Sequence, residues 1–348
     1  MHTHTNDGEK RAAEPLPAND TDAPNRPRSS KAATACAWLA PLAVLLMSAV
    51  RAIADSYPFE LLCHFQVQYF IASIAILLLL VTLRRRRAVI VAGAALIVSG
   101  SALAPLWIAS PSNGARTMND SASGRLRILH ANVLSSNEQH APLLDLIARE
   151  QPDLLALHEI NARWIEALTV LADDYPYRDG AQREDDFGIL VLSRTPLRDA
   201  TVQRFGSSQV PSVTFQIRVH DVTLQFVAAH TMPPMSVAAQ SARDEHLTQM
   251  AAFAKTRSDP IIIVGDLNTT MWSPSYRRLC DELGLTNTRR GFGILPTWPA
   301  SLPTVMRLPI DHCLVGDGIT VLDCRLGPNI GSDHLPLIID LAVGGSGG

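Results

Sequence analysis

Three apolar stretches within the first 110 residues constrain this chain more than any other feature. They run from Ala32 to Val50, Phe65 to Leu83 and Ala88 to Ala109. Each is about 19 to 22 residues long, the length a helix needs to cross a hydrocarbon core of about 30 Å. One such stretch can be a buried helix of a soluble protein; three in succession read as transmembrane helices. The first lies behind a long polar tail, too far from the start for a cleaved signal peptide. Glu60, His64, Gln66 and Gln68, at or before the start of the second stretch, are expected at the membrane interface.

Basic residues set the expected orientation. Arg26, Arg28 and Lys31 precede the first stretch, and Arg84, Arg85, Arg86 and Arg87 fill the turn between the second and third. The loop between the first two carries Arg51 with Asp55 and Glu60. By the positive-inside rule the tail and the Arg run are cytoplasmic, and three spans then place everything after residue 110 outside the cytoplasm. The expected location is a bacterial inner membrane, multi-pass, with the rest of the chain extracytoplasmic.

The spans divide the chain. Residues 1–31, rich in Asp, Asn, Pro and Thr, have almost nothing to bury and are expected to be a disordered tail. Residues 32–110 form the membrane segment and 111–124 (PSNGARTMNDSASG) a polar linker. Residues 125–343 have a globular pattern, and 344–348 (GGSGG) are expected to be flexible. A net charge of -3 and a pI near 6.4 argue against a dedicated binder of duplex DNA.

Within 125–343, short apolar runs alternate with helical periodicity. Strands are expected at Arg127–Val133, Asp153–Leu157, Gly188–Ser193, Ser212–Val219, Thr223–His230, a run after Pro260, and Leu335–Ala342. Leu308–Val315 and Ile319–Leu326 read as a hairpin about a GDG turn. Helices are expected at Ala141–Glu150, 162–172, Ser236–Lys255 and Pro274–Leu283. Several strands follow one another with no helix between them, so the sheets are expected to be mixed.

The strand ends carry the chemistry. In PIIIVGDLNTT (260–270) four aliphatic residues form a buried strand that stops at Gly265 and hands over to Asp266 and Asn268. In extended backbone, positions two apart face the same way, so the pair is either an Asx turn or a site. Asn132, Glu159, His230, Asp311, and Asp333 with His334 end or flank other strands in the same manner. Hard oxygen donors suit Mg²⁺ or Mn²⁺, and the thiolate and multi-His spacings of zinc sites are absent. Two histidines beside carboxylates supply a general base and a general acid next to a cation. That set fits attack of water on a phosphate ester.

Over 125–342 the motifs HANV, LLALHEIN, GILVLSRTP, VAAHT, IIVGDLN, PIDHCLV and GSDHLPL follow one another in an order that resembles the endonuclease/exonuclease/phosphatase superfamily, the group of DNase I, exonuclease III, sphingomyelinases and inositol phosphatases. The resemblance implies an α/β (α+β) four-layer sandwich of two mixed β-sheets flanked by helices. It implies Glu159 as principal metal ligand with Asn132 and Asp333 beside it, and His334 as the base, oriented by Asp311. Asp266 and Asn268 would orient the nucleophile and the scissile phosphate, His230 would assist the leaving group or the phosphate oxygens, and Arg194 would contact phosphate.

Two positions depart from the superfamily's pattern. His158 stands where Gln usually precedes the metal-binding Glu, as an extra ligand or as a neutral hydrogen-bonding substitute. Leu134 replaces an Asp of some apurinic-site nucleases, and no long basic, aromatic insertion is present to grip nucleic acid. Cys280, Cys313 and Cys324 are an odd set for an oxidising compartment; Cys313 and Cys324 either bridge the expected hairpin or are buried free thiols.

The leading expectation is a membrane-anchored, divalent-metal phosphoesterase whose partners are the bilayer and a phosphate ester. Anchored members with this layout, linked to glycopeptide resistance and thought to act on undecaprenyl pyrophosphate, point to a lipid-linked phosphate or pyrophosphate. Nucleic acid is the less favoured partner, which makes an extracytoplasmic nuclease the runner-up. A non-catalytic binding protein is the third reading, opposed by the intact set Glu159, His230, Asp266, Asn268 and His334. No protein partner is inferred.

Overall fold

The computed structural model describes residues 1–3, 31–53, 55–108 and 124–344. The expected tail (1–31), linker (111–124) and closing segment (344–348) lie, apart from their end positions, outside the described residues.

Three helical segments, Lys31–Ala52, Phe59–Thr82 and Arg86–Leu106, are long and apolar enough to cross a membrane. Their cores are α1 (Lys31–Ala49), the short α2 (Phe59–Leu62) leading through a 3-10 turn into α3 (Gln66–Thr82), and α4 (Arg86–Leu103). The second segment starts earlier than its apolar run because Glu60 and His64 are buried rather than solvated. Arg86 and Arg87 open α4 instead of lying in the turn. Helix α4 packs against α1 and α3, with Ala88, Ala92 and Ala95 buried, since small side chains let helices approach closely. Leu46, Leu78, Leu79, Ile90 and Ile97 point outward at 57 to 73% exposure, a belt that suits lipid and not water.

The remaining strands are β1 (Gly124–Asn132), β2 (Leu154–His158), β3 (Tyr177–Ala181), β4 (Ile189–Ser193), β5 (Arg198–Arg204), β6 (Pro211–Val219), β7 (Val222–Ala229), β8 (Ile261–Asp266), β9 (Thr286–Asn287), β10 (Asp311–Val315), β11 (Ile319–Leu326) and β12 (Leu337–Val343). They form two six-stranded mixed sheets in the orders β11-β12-β1-β2-β4-β3 and β5-β6-β7-β8-β10-β9. The sheets stack through a core that includes Ile128, Val191, Phe215, Phe226, Val264 and Ile339. Helices α5 (Ala141–Glu150) and α6 (Ala162–Ala167) cover the outer face of the first sheet, burying Leu143, Ile147 and Trp164. Helices α7 (Val237–Lys255) and α8 (Pro274–Leu283) cover the second, burying Leu247, Met250 and Leu279. The product is the four-layer sandwich. Its central strands are covered on both faces, which is why β2, β4 and β8 read as unbroken apolar runs.

The expected β10–β11 hairpin does not form. Strand β10 pairs with β8 and β9 in one sheet, and β11 pairs with β12 in the other. The Gly316–Gly318 segment carries the chain across the sandwich, because both strands have an apolar face to bury and each sheet offers an edge. Cys313 and Cys324 accordingly face the core between the sheets as buried free thiols. The polar strands β3 and β5 were not expected; as edge strands they are largely half-exposed or exposed and carry no apolar run.

Candidate active site

Sheet topology brings the polar strand ends together. Strands β1 and β2 run parallel, so Asn132 sits opposite His158 and beside Glu159. Strands β7 and β8 are also parallel, which places His230 near Asp266. Strand β10 enters antiparallel with Asp311 opposite Asp266, and β12 starts beside His130 just after Ser332, Asp333 and His334. Both sheets therefore deliver polar groups to one rim of the sandwich.

Glu159 occupies a left-handed backbone position (φ 64°) that turns its side chain toward this rim. Asn132 Nδ2 donates to Glu159 Oε1 at 2.7 Å and to Asp266 Oδ2 at 3.2 Å, while the Ser135 amide donates to Glu159 Oε2 at 3.0 Å. Burial raises the Glu159 carboxyl above its ordinary value, against the pull of these donors.

Behind Glu159 lies a relay of imidazoles and carboxylates. Asp311 Oδ2 meets His334 Nδ1 at 2.8 Å, and its Oδ1 meets His130 Nε2 at 2.7 Å. His334 Nε2 and His230 Nε2 lie 3.7 Å and 3.6 Å from Asp266 Oδ2. Burial works against the imidazolium of His334, but Asp311 and Asp266 outweigh it and push the group up to about 10. Burial, reinforced by Asp311, pushes Asp266 up to about 7. Burial and the neighbouring His334 hold His230 down to about 3, so it is neutral.

His158 is fully buried and stacks in parallel on His230, with ring centroids 5.4 Å apart. Its Nδ1 accepts the Asp266 amide at 3.3 Å, and burial holds it well below the ordinary imidazole range. That is the neutral hydrogen-bonding role. Gly265 makes the approach feasible: at φ +150°, a Cβ there would fall 2.5 Å from His158 Cε1 and 2.0 Å from the Ala229 carbonyl oxygen.

Asp266 and Asn268 are both a turn and part of the rim. The Asn268 amide donates to Asp266 Oδ1 at 2.9 Å, an Asx turn, and Asn268 itself is left-handed (φ 45°). The two side chains therefore do not stand in parallel as extended backbone would place them: Asn268 Nδ2 donates to the Thr231 carbonyl at 2.8 Å. Asp333 Oδ2 accepts Trp298 Nε1 at 3.0 Å, and its buried Oδ1 has no partner among the described residues.

Glu159, His230, Asp266, Asn268, Asp333 and His334 line one cavity of about 490 Å³. Its other walls are Asp186, Phe187, Pro233, Pro234, Met235, Trp298, Leu308 and Ile310 with Tyr57, Leu61, His64 and Phe65 from the start of the second apolar segment and the turn before it. Asn132 and Asp311 stand behind the lining, hydrogen-bonded to it. Arg194 is the exception. Because β4 runs antiparallel to β2, Arg194 lies at the opposite end of the sheet, donating to the Pro152 carbonyl at 3.1 Å and resting over the Tyr175 ring.

Sequence reading missed His130, although it stands two residues before Asn132 in a strand and so shares its face. Trp298 and the Tyr57–Phe65 wall had no such signal. Their places depend on long-range packing.

A divalent cation fits the open carboxylates. The atoms of Asp266, Asp311 and His334 lie within 4.8 Å of one another, but both Asp311 oxygens are taken by imidazoles. Glu159, at the cavity surface, and Asp333, with an unpartnered buried oxygen, retain lone pairs for a hard cation. Asn132 keeps one lone pair on Oδ1 beyond the Leu134 amide it accepts at 3.1 Å.

The model of the Endonuclease/Exonuclease/phosphatase family matches residues 129–334, more than half of the chain. No curated protein matches the sequence. Among solved structures, an endonuclease/exonuclease/phosphatase from Beutenbergia cavernae DSM 12333 is 17% identical with a TM-score of 0.53, covering 64% of this chain and 72% of its own. One from Bacteroides vulgatus is 16% identical with a TM-score of 0.54, covering 63% and 99%. D. rerio TDP2 complexed with a single-strand DNA product is 16% identical with a TM-score of 0.52, covering 62% and 98%. These likenesses establish the sandwich fold.

Proposed function

The chain belongs to the endonuclease/exonuclease/phosphatase family, whose members are metal-dependent phosphoric ester hydrolases, and from that we propose that it hydrolyses a phosphate ester or pyrophosphate at the extracytoplasmic face of a membrane. The observation that carries this reading is the convergence of Glu159, His230, Asp266, Asn268, Asp333 and His334 on one cavity that also touches the membrane segment. In this reading residues 32–110 anchor the enzyme, 111–124 link it and 125–343 form the catalytic domain.

Glu159, with Asp333 and Asn132 beside it, would hold Mg²⁺ or Mn²⁺. When bound, the cation offsets charge on the phosphate oxygens and weakens the neighbouring imidazole's hold on its proton. Asp311 fixes the tautomer of His334 by taking its Nδ1–H, which leaves Nε2 facing the cavity to accept a proton from water. Asp266, shared between His334 and His230, orients the nucleophile, and Asn268 orients the phosphate. His230 is neutral and keeps an N–H to donate to a phosphate or leaving-group oxygen.

The walls favour a substrate with an apolar part. Leu61, Phe65, Phe187, Pro233, Met235 and Ile310 surround the polar floor, and among the described residues no Arg or Lys lines the cavity. A nucleic acid would place further phosphates against apolar groups and the Asp186 carboxylate, at a cost basic residues would otherwise offset. A lipid-linked phosphate meets both halves of the site.

The test is a panel of plasmid DNA, RNA, lipid pyrophosphate, sphingomyelin and phosphoinositides, offered to the purified full chain with Mg²⁺ or Mn²⁺. Hydrolysis of a lipid phosphate, lost on EDTA and on His334→Ala, is the expected result. Preference for DNA or RNA would establish the nuclease, and activity surviving both treatments would sink the mechanism. Absence of any hydrolysis would leave the non-catalytic binding protein. Alkaline phosphatase fused after Val343 should be active; an inactive fusion would reverse the orientation.

A further inference from the structure

The membrane segment and the catalytic domain share a buried polar seam. Glu60 of α2 faces Arg243 of α7 at 3.1 Å, with side chains 2% and 0% exposed. Two charges so deeply buried cost several kcal/mol each to dehydrate and persist only as partners. Arg243 in turn donates to Asp244 and reaches the carbonyl of Asn268 at 3.4 Å. Two residues on, Thr270 Oγ1 meets His64 Nδ1 at 3.0 Å. The loop that carries Asn268 is thus held at two points by the start of the second membrane segment.

The seam continues around the domain. Trp272 Nε1 donates to the Ala102 carbonyl at 3.0 Å, and the Gly291 and Gly293 amides donate to the Leu106 carbonyl at 3.0 Å and 2.9 Å. Gln68 Nε2 donates to the Val305 carbonyl at 2.8 Å, beside exposed Val305 and Met306. These links seat the cavity on the membrane segment, and Tyr57, Leu61, His64 and Phe65 become one of its walls.

We propose that the membrane segment is part of the active site: Tyr57, Leu61 and Phe65 form the surface against which the apolar part of the phosphate ester lies, and Glu60, through Arg243, positions the Asn268 loop. The wall rests on the phosphate-ester reading above. An apolar group leaving the polar floor along this wall runs toward α3 and the lipid around it. Glu60 and Arg243 are positioning residues, since neither lines the cavity.

The test uses the full chain in phosphatidylethanolamine/phosphatidylglycerol vesicles with Mn²⁺, and two esters, p-nitrophenyl hexadecyl phosphate and bis(p-nitrophenyl) phosphate. Leu61→Ala and Phe65→Ala should lower kcat/KM on the long-chain ester about tenfold more than on the small one. Glu60→Gln, which keeps an acceptor for Arg243, should lower kcat on both about tenfold at unchanged KM, by more than any accompanying loss of folded protein explains. A kcat that falls only as far as the folded fraction falls would make Glu60 a structural strut and remove the positioning role. Binding is read separately by maleimide labelling of Leu61→Cys in a Cys36→Ser background. Hexadecylphosphonate should slow labelling and ethylphosphonate should not. Protection without hydrolysis would keep the wall and overturn the hydrolase; hydrolysis without protection, or equal losses on both esters, would overturn the wall.

Discussion

Asp311 and His334 are joined by a 2.8 Å hydrogen bond from Nδ1 to Oδ2, with side chains 1% and 6% exposed. The bond commits Nδ1 of His334 and leaves Nε2 to the cavity, so the orientation of the ring depends on a carboxylate that does not line the site. Asp311→Asn keeps the shape but turns an acceptor into an ambiguous partner for both His130 and His334. It is expected to lower kcat by about 10² to 10⁴, with a smaller change in KM, in steady-state kinetics. An unchanged kcat would remove His334 from the proton path.

The same pair predicts how stability varies with pH. His334 is raised to about 10 in the folded, metal-free protein, against about 6.5 for an unfolded histidine. Its contribution is therefore complete below about pH 6.5 and is lost as pH rises toward 10. Asp266, raised to about 7 chiefly by burial, opposes folding increasingly as pH climbs from about 4 to 7. Melting temperatures in EDTA should fall between pH 7 and 10, and His334→Gln should flatten that limb. A slope unaffected by the substitution would show that another group supplies it.

Gly265→Ala tests the stacked histidines. The added methyl meets the Ala229 carbonyl oxygen at 2.0 Å and His158 at 2.5 Å, at a backbone angle that suits glycine. The strand cannot shift without moving Asp266, so the substitution should cost about 3 kcal/mol or more and abolish activity. Thermal melting and kinetics together report both losses.

Arg194→Ala separates the end of β4 from the site. The side chain loses its contact with Tyr175, 5.0 Å from the ring centroid, and its bond to Pro152. Stability should fall by about 1 kcal/mol, and kcat/KM should stay within about twofold. A large kinetic loss at unchanged stability would return Arg194 to the substrate.

The site was legible where its residues lie on apolar strands. Asn132, Glu159, His230, Asp266, Asp311 and His334 end or flank runs whose burial is evident locally, and the structure gathers all six on one rim. His130 was equally readable from its two-residue spacing to Asn132. Arg194 lies away from the other named residues, since a motif names a strand end without saying which end the topology turns toward the cavity.

Local chemistry thus determined much of this protein. Apolar length marks the three helices, strand and helix periods mark most elements, and hard donors at strand ends mark the kind of site. Tertiary structure alone decided which sheet each strand joins. The GDG turn between β10 and β11 looks like a hairpin, yet β10 pairs with β8 and β11 with β12, so the chain crosses the sandwich there. It alone decided, too, that Glu60 and His64 dock on the domain instead of facing the interface, because their partners Arg243 and Thr270 are distant in sequence. A residue's own neighbours govern its conformation, but a buried charge is settled by whatever the fold brings to meet it.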